Sequence, residues 1–137
     1  MKGIYALIIQ LERDITINVG RLGRLHFAKG MYAYVGSAQK NLETRIRRHF
    51  KKEKRKFWHI DYLLDSPEAR IIKTYISETH KEQECKTAKK LSELGNPVAG
   101  FGSSDCKCKS HLVRIENGNP LCNLWQGFYP YIADSQK

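Results

Sequence analysis

The sequence predicts an α+β domain, and three observations carry that prediction. Runs rich in β-branched and apolar residues at 3–11 and 69–78 have the length and composition of strands. Two segments, 41–50 and 81–95, read as helices. The strands and helices do not alternate as regular βαβ units, which argues against a parallel, doubly wound sheet.

GIYALIIQL (3–11) reads as a buried strand, with Tyr5, Leu7, Ile9 and Leu11 on one face. DITINVG (14–20) alternates, turning Ile15, Ile17 and Val19 inward and Thr16 and Asn18 outward, and ERD between the two runs suits a hairpin turn. Gly20 and Gly23 permit a second turn before another short strand in RLHF. Gly30 opens GMYAYVGS, in which Tyr32 and Tyr34 share a face. Asn41 is expected to be the N-cap of the next helix, with Glu43 in its positive first turn. Leu42, Ile46 and Phe50 form the stripe that docks this helix on the sheet. Arg45, Arg48, His49 and Lys52 fall at i, i+3, i+4 and i+7, so a separate basic stripe is expected to face outward.

KFWHIDYLLDSPE (56–68) reads as a short helix closed by Ser66 and Pro67. ARIIKTYISE (69–78) reads as a strand with Ile71, Lys73, Tyr75 and Ser77 on one side. The helix at 81–95 stops at Gly95, placed as a C-terminal cap before Pro97. A glycine- and serine-rich loop (100–105), a strand in SHLVRIE, a turn in ENGNP and a late aromatic segment, NLWQGFYPYI, complete the chain. Trp58, Trp125, Tyr129 and Tyr131 are expected to serve packing. No repeat or linker interrupts the pattern, so one domain over 1–137 is expected.

Apolar residues make up 41% of the chain, and no apolar run approaches the roughly 20 residues that span a bilayer. ALII is too short for a signal-peptide core, so a soluble, cytoplasmic protein is expected. The charge is uneven. Of a formal +10, +7 lies between Lys40 and Lys56, where nine Lys or Arg face two acids. A concentrated positive charge calls for a polyanion, and nucleic acid is the commonest one. Nothing here reads a 2′-hydroxyl, which leaves DNA and RNA both open.

Four cysteines in a cytosolic chain suit thiols or metal ligands better than disulfides. Cys106, Cys108 and His111, with Cys85, could hold a structural Zn²⁺. The C-x-C spacing is tighter than the usual zinc-knuckle spacing, so thiols packed beside a structural loop are the favoured reading. The amides of Gly100, Gly102, Ser103 and Ser104 are candidates to hold a phosphate or to brace a pocket.

The strands and the basic helix also carry parts for phosphodiester hydrolysis. A guanidinium forks onto phosphate oxygens and stabilises a pentacovalent transition state. A carboxylate holds Mg²⁺ or Mn²⁺, which prefer oxygen ligands. A phenol, with a pKa of about 10 in water, becomes a base only where a nearby cation favours its ionised form.

Gly3-Ile4-Tyr5 and Tyr34-Val35-Gly36, followed by a helix bearing Arg45, resemble the GIY-YIG nuclease superfamily. WHIDYLL (58–64), Glu84-Cys85 and GFGSSDCKCKSHL (100–112) narrow the resemblance to a small, mainly archaeal and bacterial branch of it. The resemblance covers roughly residues 3 to 115. It implies a small, mainly antiparallel central sheet flanked by helices. It also implies a metal-dependent endonuclease acting on DNA in repair or processing. Some members of the branch are fused to a base-excision glycosylase, which makes such an enzyme a candidate partner. The alternative reading is a non-catalytic nucleic-acid-binding module assisting a repair enzyme.

Carried over residue by residue, Tyr34 takes the role of general base or water-orienting group, and Tyr5 lines the same pocket. Arg45 takes the place of the catalytic arginine, and Glu84 that of the carboxylate for one Mg²⁺ or Mn²⁺ ion, with Glu82 and Asp61 as alternatives. His49 and His59 are proton-transfer or phosphate neighbours, and Lys40, Arg45, Arg48, His49 and Lys52 are the expected nucleic-acid contacts. Gly30-Met31-Tyr32 imitates the first motif but lies too close to Tyr34 to supply a separate strand. Between the two motifs stands an extra hairpin-sized stretch, ERDITINVGRLGRLHF, where the superfamily has a short turn.

Overall fold

A computed structural model describes residues 2–51, 54–103, 108–116 and 127–131. Two nine-residue strands form its centre: β1 (Gly3–Leu11) and β4 (Gly30–Ala38). They pair antiparallel along their full length, with Tyr5 opposite Gly36 and Leu7 opposite Tyr34. The stretch between them folds apart, as a two-stranded hairpin of β2 (Ile15–Asn18) and β3 (Arg24–Phe27) joined through a 3-10 turn at Gly20–Leu22. The insertion therefore leaves the pairing of the two tyrosine strands intact.

Helices α1 (Leu42–Phe50) and α2 (His59–Leu64) follow, then β5 (Ala69–Ser77), α3 (Glu82–Leu94), β6 (Asn96–Pro97), β7 (Leu112–Ile115) and β8 (Tyr129–Pro130). The six-stranded sheet has the order β6-β7-β4-β1-β5-β8, and every pairing in it is antiparallel. The fold class is α+β, with a separate small hairpin sheet. No described helix is long and apolar enough to cross a membrane.

Alternation along β1 divides the core in two. Tyr5, Leu7, Ile9 and Leu11 face one side with Tyr32 and Tyr34, and are covered by Leu42 and Ile46 of α1 and by Ile60, Leu63 and Leu64 of α2. Ile8 faces the other side with Ala33, Val35, Val113 and Ile115, and meets Leu91 of α3. Burying each Leu or Ile of the docking stripes contributes roughly 1.5–3 kcal/mol, which is what fixes helices as short as α1 and α2 in place.

Four local expectations change. ERD does not close a hairpin between β1 and β2: β1 pairs with β4 and β5, and β2 pairs with β3 in the separate sheet. A register shift between Ile8 and Ile9 leaves Ile72 as an extra residue in β5, so Lys73 pairs with Ile8 and Ile71 with Ile9. Strict alternation is lost there: Ile71 packs with Ile76 on the first core, while Tyr75 packs on the second. Asn41 precedes α1, but it sits in the left-handed region at φ 57° and its side chain makes no capping bond. Its carbonyl accepts from the Arg45 amide at 3.1 Å instead, and asparagine tolerates that backbone better than most residues. Gly95 is the residue after α3, in extended rather than left-handed conformation, pressed against the β7 backbone at Arg114.

Candidate active site

The motif strands meet α1 and α3 around an open cleft of about 680 Å³. Tyr5 enters it from β1, Tyr34 and Ser37 from β4, Lys40 from the turn after β4, Arg45 from α1, and Glu82 and Glu84 from α3. Trp58, Gly102 and His111 also line it. Four of the residues expected to act together, Tyr5, Tyr34, Arg45 and Glu84, are thus brought to one cavity.

Close approach of side chain to backbone builds the tyrosine wall. Gly36 lies opposite Tyr5, and a Cβ at that position would stand 2.5 Å from both Cζ and the hydroxyl oxygen of Tyr5. Only a residue without a side chain lets the phenol lie across the strand. So placed, the Tyr5 hydroxyl is hydrogen-bonded to Nε2 of His49 at 2.6 Å, and the Tyr5 and Tyr34 rings lie 6.5 Å apart. Gly102, at φ 71°, brings the 100–103 loop against the Tyr34 ring and donates its amide to Nδ1 of His59 at 2.8 Å.

His49 is 2% exposed and stands behind Tyr5, packed against Tyr34 and Trp58. The outward basic stripe expected of α1 is corrected here: His49 lies inside it and cannot touch nucleic acid. Its Nδ1 has no hydrogen-bond partner among the described residues, and an imidazolium would need acceptors at both nitrogens. Burial first, with the positive charges of Lys54, Arg48 and Arg45, pushes its pKa down to about 3, so the ring is neutral.

Burial also pushes Tyr5 and Tyr34 above the ordinary phenol range, against the opposing pull of Arg45. At neutral pH both hydroxyls keep their protons and can donate. Glu84 behaves oppositely. Burial would raise its pKa, but hydrogen bonds from His111 and Ser37 outweigh that and hold it below the usual carboxylate value. Ser37 donates to Oε1 at 2.7 Å, and Nδ1 of His111 lies 3.1 Å from Oε2.

Arg45 is fixed on two sides. It donates to the Ser37 carbonyl at 2.9 Å, and its guanidinium carbon lies 4.5 Å from the centroid of Trp58. Arg48 stacks on Trp58 at the same distance. Trp58, expected only to pack, is therefore both packing and cleft wall. Arg48 is committed elsewhere: its guanidinium forks onto both oxygens of Asp61 at 2.9 and 3.0 Å, and donates to the Arg55 carbonyl. Asp61 also accepts the amides of Phe57 and Trp58 and is fully buried, which removes it as an alternative metal carboxylate.

Other members of the basic run also face protein partners. Lys54 donates to the carbonyls of Arg48, His49 and Lys51 at the end of α1, and Lys56 pairs with Asp65. Lys40, Arg47, Lys51 and Arg55 are exposed, whereas Lys52 lies outside the described residues. Tyr32, the imitation of the first motif, sends its hydroxyl to the Ala28 carbonyl and lies in the core.

One ligand atom from each of Cys85, Cys108 and His111 lies within 4.8 Å of the others, a group able to hold a metal ion. Cys106, Ser104 and Trp125 lie outside the described residues. Glu84 keeps lone pairs beyond the bonds it accepts, and Glu82 stands on the same cleft, a donor set suited to a hard cation that retains several waters.

Sequence reasoning missed Ser37 and the link from His111 to Glu84. A strand alternation count would have placed Ser37 opposite in face to Tyr34 and Gly36, hence toward α3. No local pattern announces the contact with His111, 27 positions after Glu84.

No curated protein and no solved structure matches the chain. A family model described as a domain of unknown function, DUF123, matches residues 4–132. The match takes in both motif tyrosines, α1, α3 and the loop that carries Gly102, so the chain belongs to the DUF123 family.

Proposed function

We propose that the protein is a divalent-metal-dependent endonuclease of the GIY-YIG type that hydrolyses phosphodiester bonds in DNA, in repair or processing. The observation that supports this best is the gathering of Tyr5, Tyr34, Arg45 and Glu84, from four different elements, around one cleft.

In this reading the cleft takes a phosphate with one ester oxygen leaving. Arg45, held against Trp58 and the Ser37 carbonyl, meets the phosphoryl oxygens without first having to be ordered. The protonated hydroxyls of Tyr34 and Tyr5 orient the attacking water and a phosphate oxygen. Neutral His49 holds the Tyr5 hydroxyl in register. Ionised Glu84 would hold Mg²⁺ or Mn²⁺, which would supply positive charge at the phosphate and favour ionisation of a nearby water. The water oxygen bonds to phosphorus as the bond to the leaving ester oxygen breaks; the attacking water gives up a proton to solvent, and the leaving oxygen takes one from solvent. Lys40, on the cleft, and exposed Arg47, Lys51 and Arg55 track the flanking backbone.

The test is nicking of supercoiled plasmid with Mg²⁺ or Mn²⁺. Arg45→Ala should reduce the rate by about 10²–10³-fold, and Glu84→Gln should abolish metal-dependent cleavage, with DNA binding largely retained in both. Binding without cleavage on intact, branched and abasic DNA alike would sink the enzyme and leave a nucleic-acid-binding module that serves a repair partner such as a glycosylase.

A further inference from the structure

We propose that Cys85, Cys108 and His111 hold a zinc ion set into the wall behind the cleft, and that this ion positions Glu84 through the His111 ring. The three residues come from α3 and from the chain just before β7, and their donor atoms already converge within 4.8 Å. Tetrahedral zinc with Zn–S near 2.3 Å and Zn–N near 2.0 Å needs donors roughly 3.5–3.8 Å apart. Contraction by about 1 Å brings the three donors to bonding distance, with a water for the fourth tetrahedral position. Two thiolates and an imidazole are soft and borderline ligands that favour zinc over the hard cations suited to Glu84. The two metals therefore belong to adjacent but different places.

The tautomer of His111 fits a ligand. Its Nδ1 faces two groups that only accept, the Val35 carbonyl at 3.1 Å and Oε2 of Glu84 at 3.1 Å, so Nδ1 carries the proton. Nε2 then presents the lone pair. A carboxylate accepting from the far nitrogen of a metal-bound histidine is the usual second layer of a zinc site, and it fixes ring orientation and raises ligand basicity. His111 is 2% exposed, so the ring is already held before an ion arrives. An entry path exists as well. Cys85 and Cys108 line a second open cleft of about 600 Å³, with Lys86, Ser92 and Ser110. Cys85 borders both clefts.

The ion would tie α3 to β7 and to the loop before it. It would also anchor the imidazole on which the Glu84 carboxylate rests, so that zinc is structural in the wall while the chemistry proceeds in the cleft.

Chelator-stripped, reduced full-length protein titrated with Co²⁺ in the absence of DNA tests the site. One equivalent should bind, with thiolate-to-cobalt charge-transfer absorption and tetrahedral ligand-field bands, and Zn²⁺ should displace it. Cys85→Ser and Cys108→Ser, each checked for folding by circular dichroism, should each weaken the charge-transfer band and lower affinity. Glu84→Gln should keep the bands and lower affinity by about 10–100-fold. Saturation without a thiolate band, or unchanged spectra in both folded cysteine variants, overturns the site. An unchanged affinity in Glu84→Gln overturns the positioning role alone. None of these readouts depends on nicking, so the loss of either proposal leaves the other standing.

Discussion

At the scale of single residues, a missing side chain and a missing charge shape the cleft. Gly36 is there because the Tyr5 ring occupies the space a Cβ would take. Gly36→Ala should therefore displace the phenol and destabilise the fold by about 1–3 kcal/mol, the range for overpacking, read from the urea midpoint. It should also depress nicking, if nicking is the activity, since Tyr5 would leave the cleft wall. His49 supplies the missing charge. Its pKa is about 3 in the fold against roughly 6.5 when unfolded. Between those values the unfolded chain binds the extra proton, so stability is full above pH ~6.5 and falls as pH drops toward about 3. Urea midpoints measured across that window should show this slope in the wild type and a shallower one in His49→Gln.

At the scale of elements, the corner between α1 and α2 depends on Asp61. One buried carboxylate accepts from both arms of Arg48 and from two backbone amides at the start of α2. Asp61→Ala would strand those donors and should cost about 3–5 kcal/mol, as for breaking a buried ion pair, measured by thermal or urea unfolding. Burial alone would raise its pKa, but Arg48 and the two amides hold it below the usual carboxylate value. Its contribution is thus present above the unfolded carboxyl pKa of about 3.9, and is lost as pH falls through the folded value. Trp58 and Arg45 share this corner, so a change at Asp61 should disturb the cleft as well as the stability. The bulge in β5 is the other lesson at this scale. Its sequence alternates plausibly, yet pairing with β1 extrudes Ile72 and reverses which residues face the core beyond it. Register depends on the neighbouring strand, and that information is not local.

For the whole molecule, charge and topology act together. Of the nine cations between Lys40 and Lys56, several bind carbonyls or carboxylates of the protein, and Lys40, exposed, lines the cleft. If this face tracks DNA, affinity should fall steeply with salt. Lys40→Ala should weaken binding on every sequence alike and flatten the dependence of log K on log salt by about one unit. Fluorescence anisotropy from low to physiological salt would show it, and an unchanged slope would remove Lys40 from the interface.

The sequence by itself determined the strands of the two motifs, the docking stripe of α1, the extent of α3 and the inserted hairpin. Each rests on local periodicity or turn chemistry that neighbours a few positions away suffice to express. It also singled out Tyr5, Tyr34, Arg45 and Glu84, which the structure brings to one cleft. Tertiary structure alone decided their protonation and their partners. Burial of His49 turns an expected basic contact into a neutral prop, and Asp61 is withdrawn from the metal candidates because Arg48 and α2 enclose it. Glu84 stays charged through His111 and Ser37, which reach it from the chain just before β7 and from β4. Desolvation and long-range hydrogen bonding depend on what surrounds a group in three dimensions, and no spacing along the chain records that.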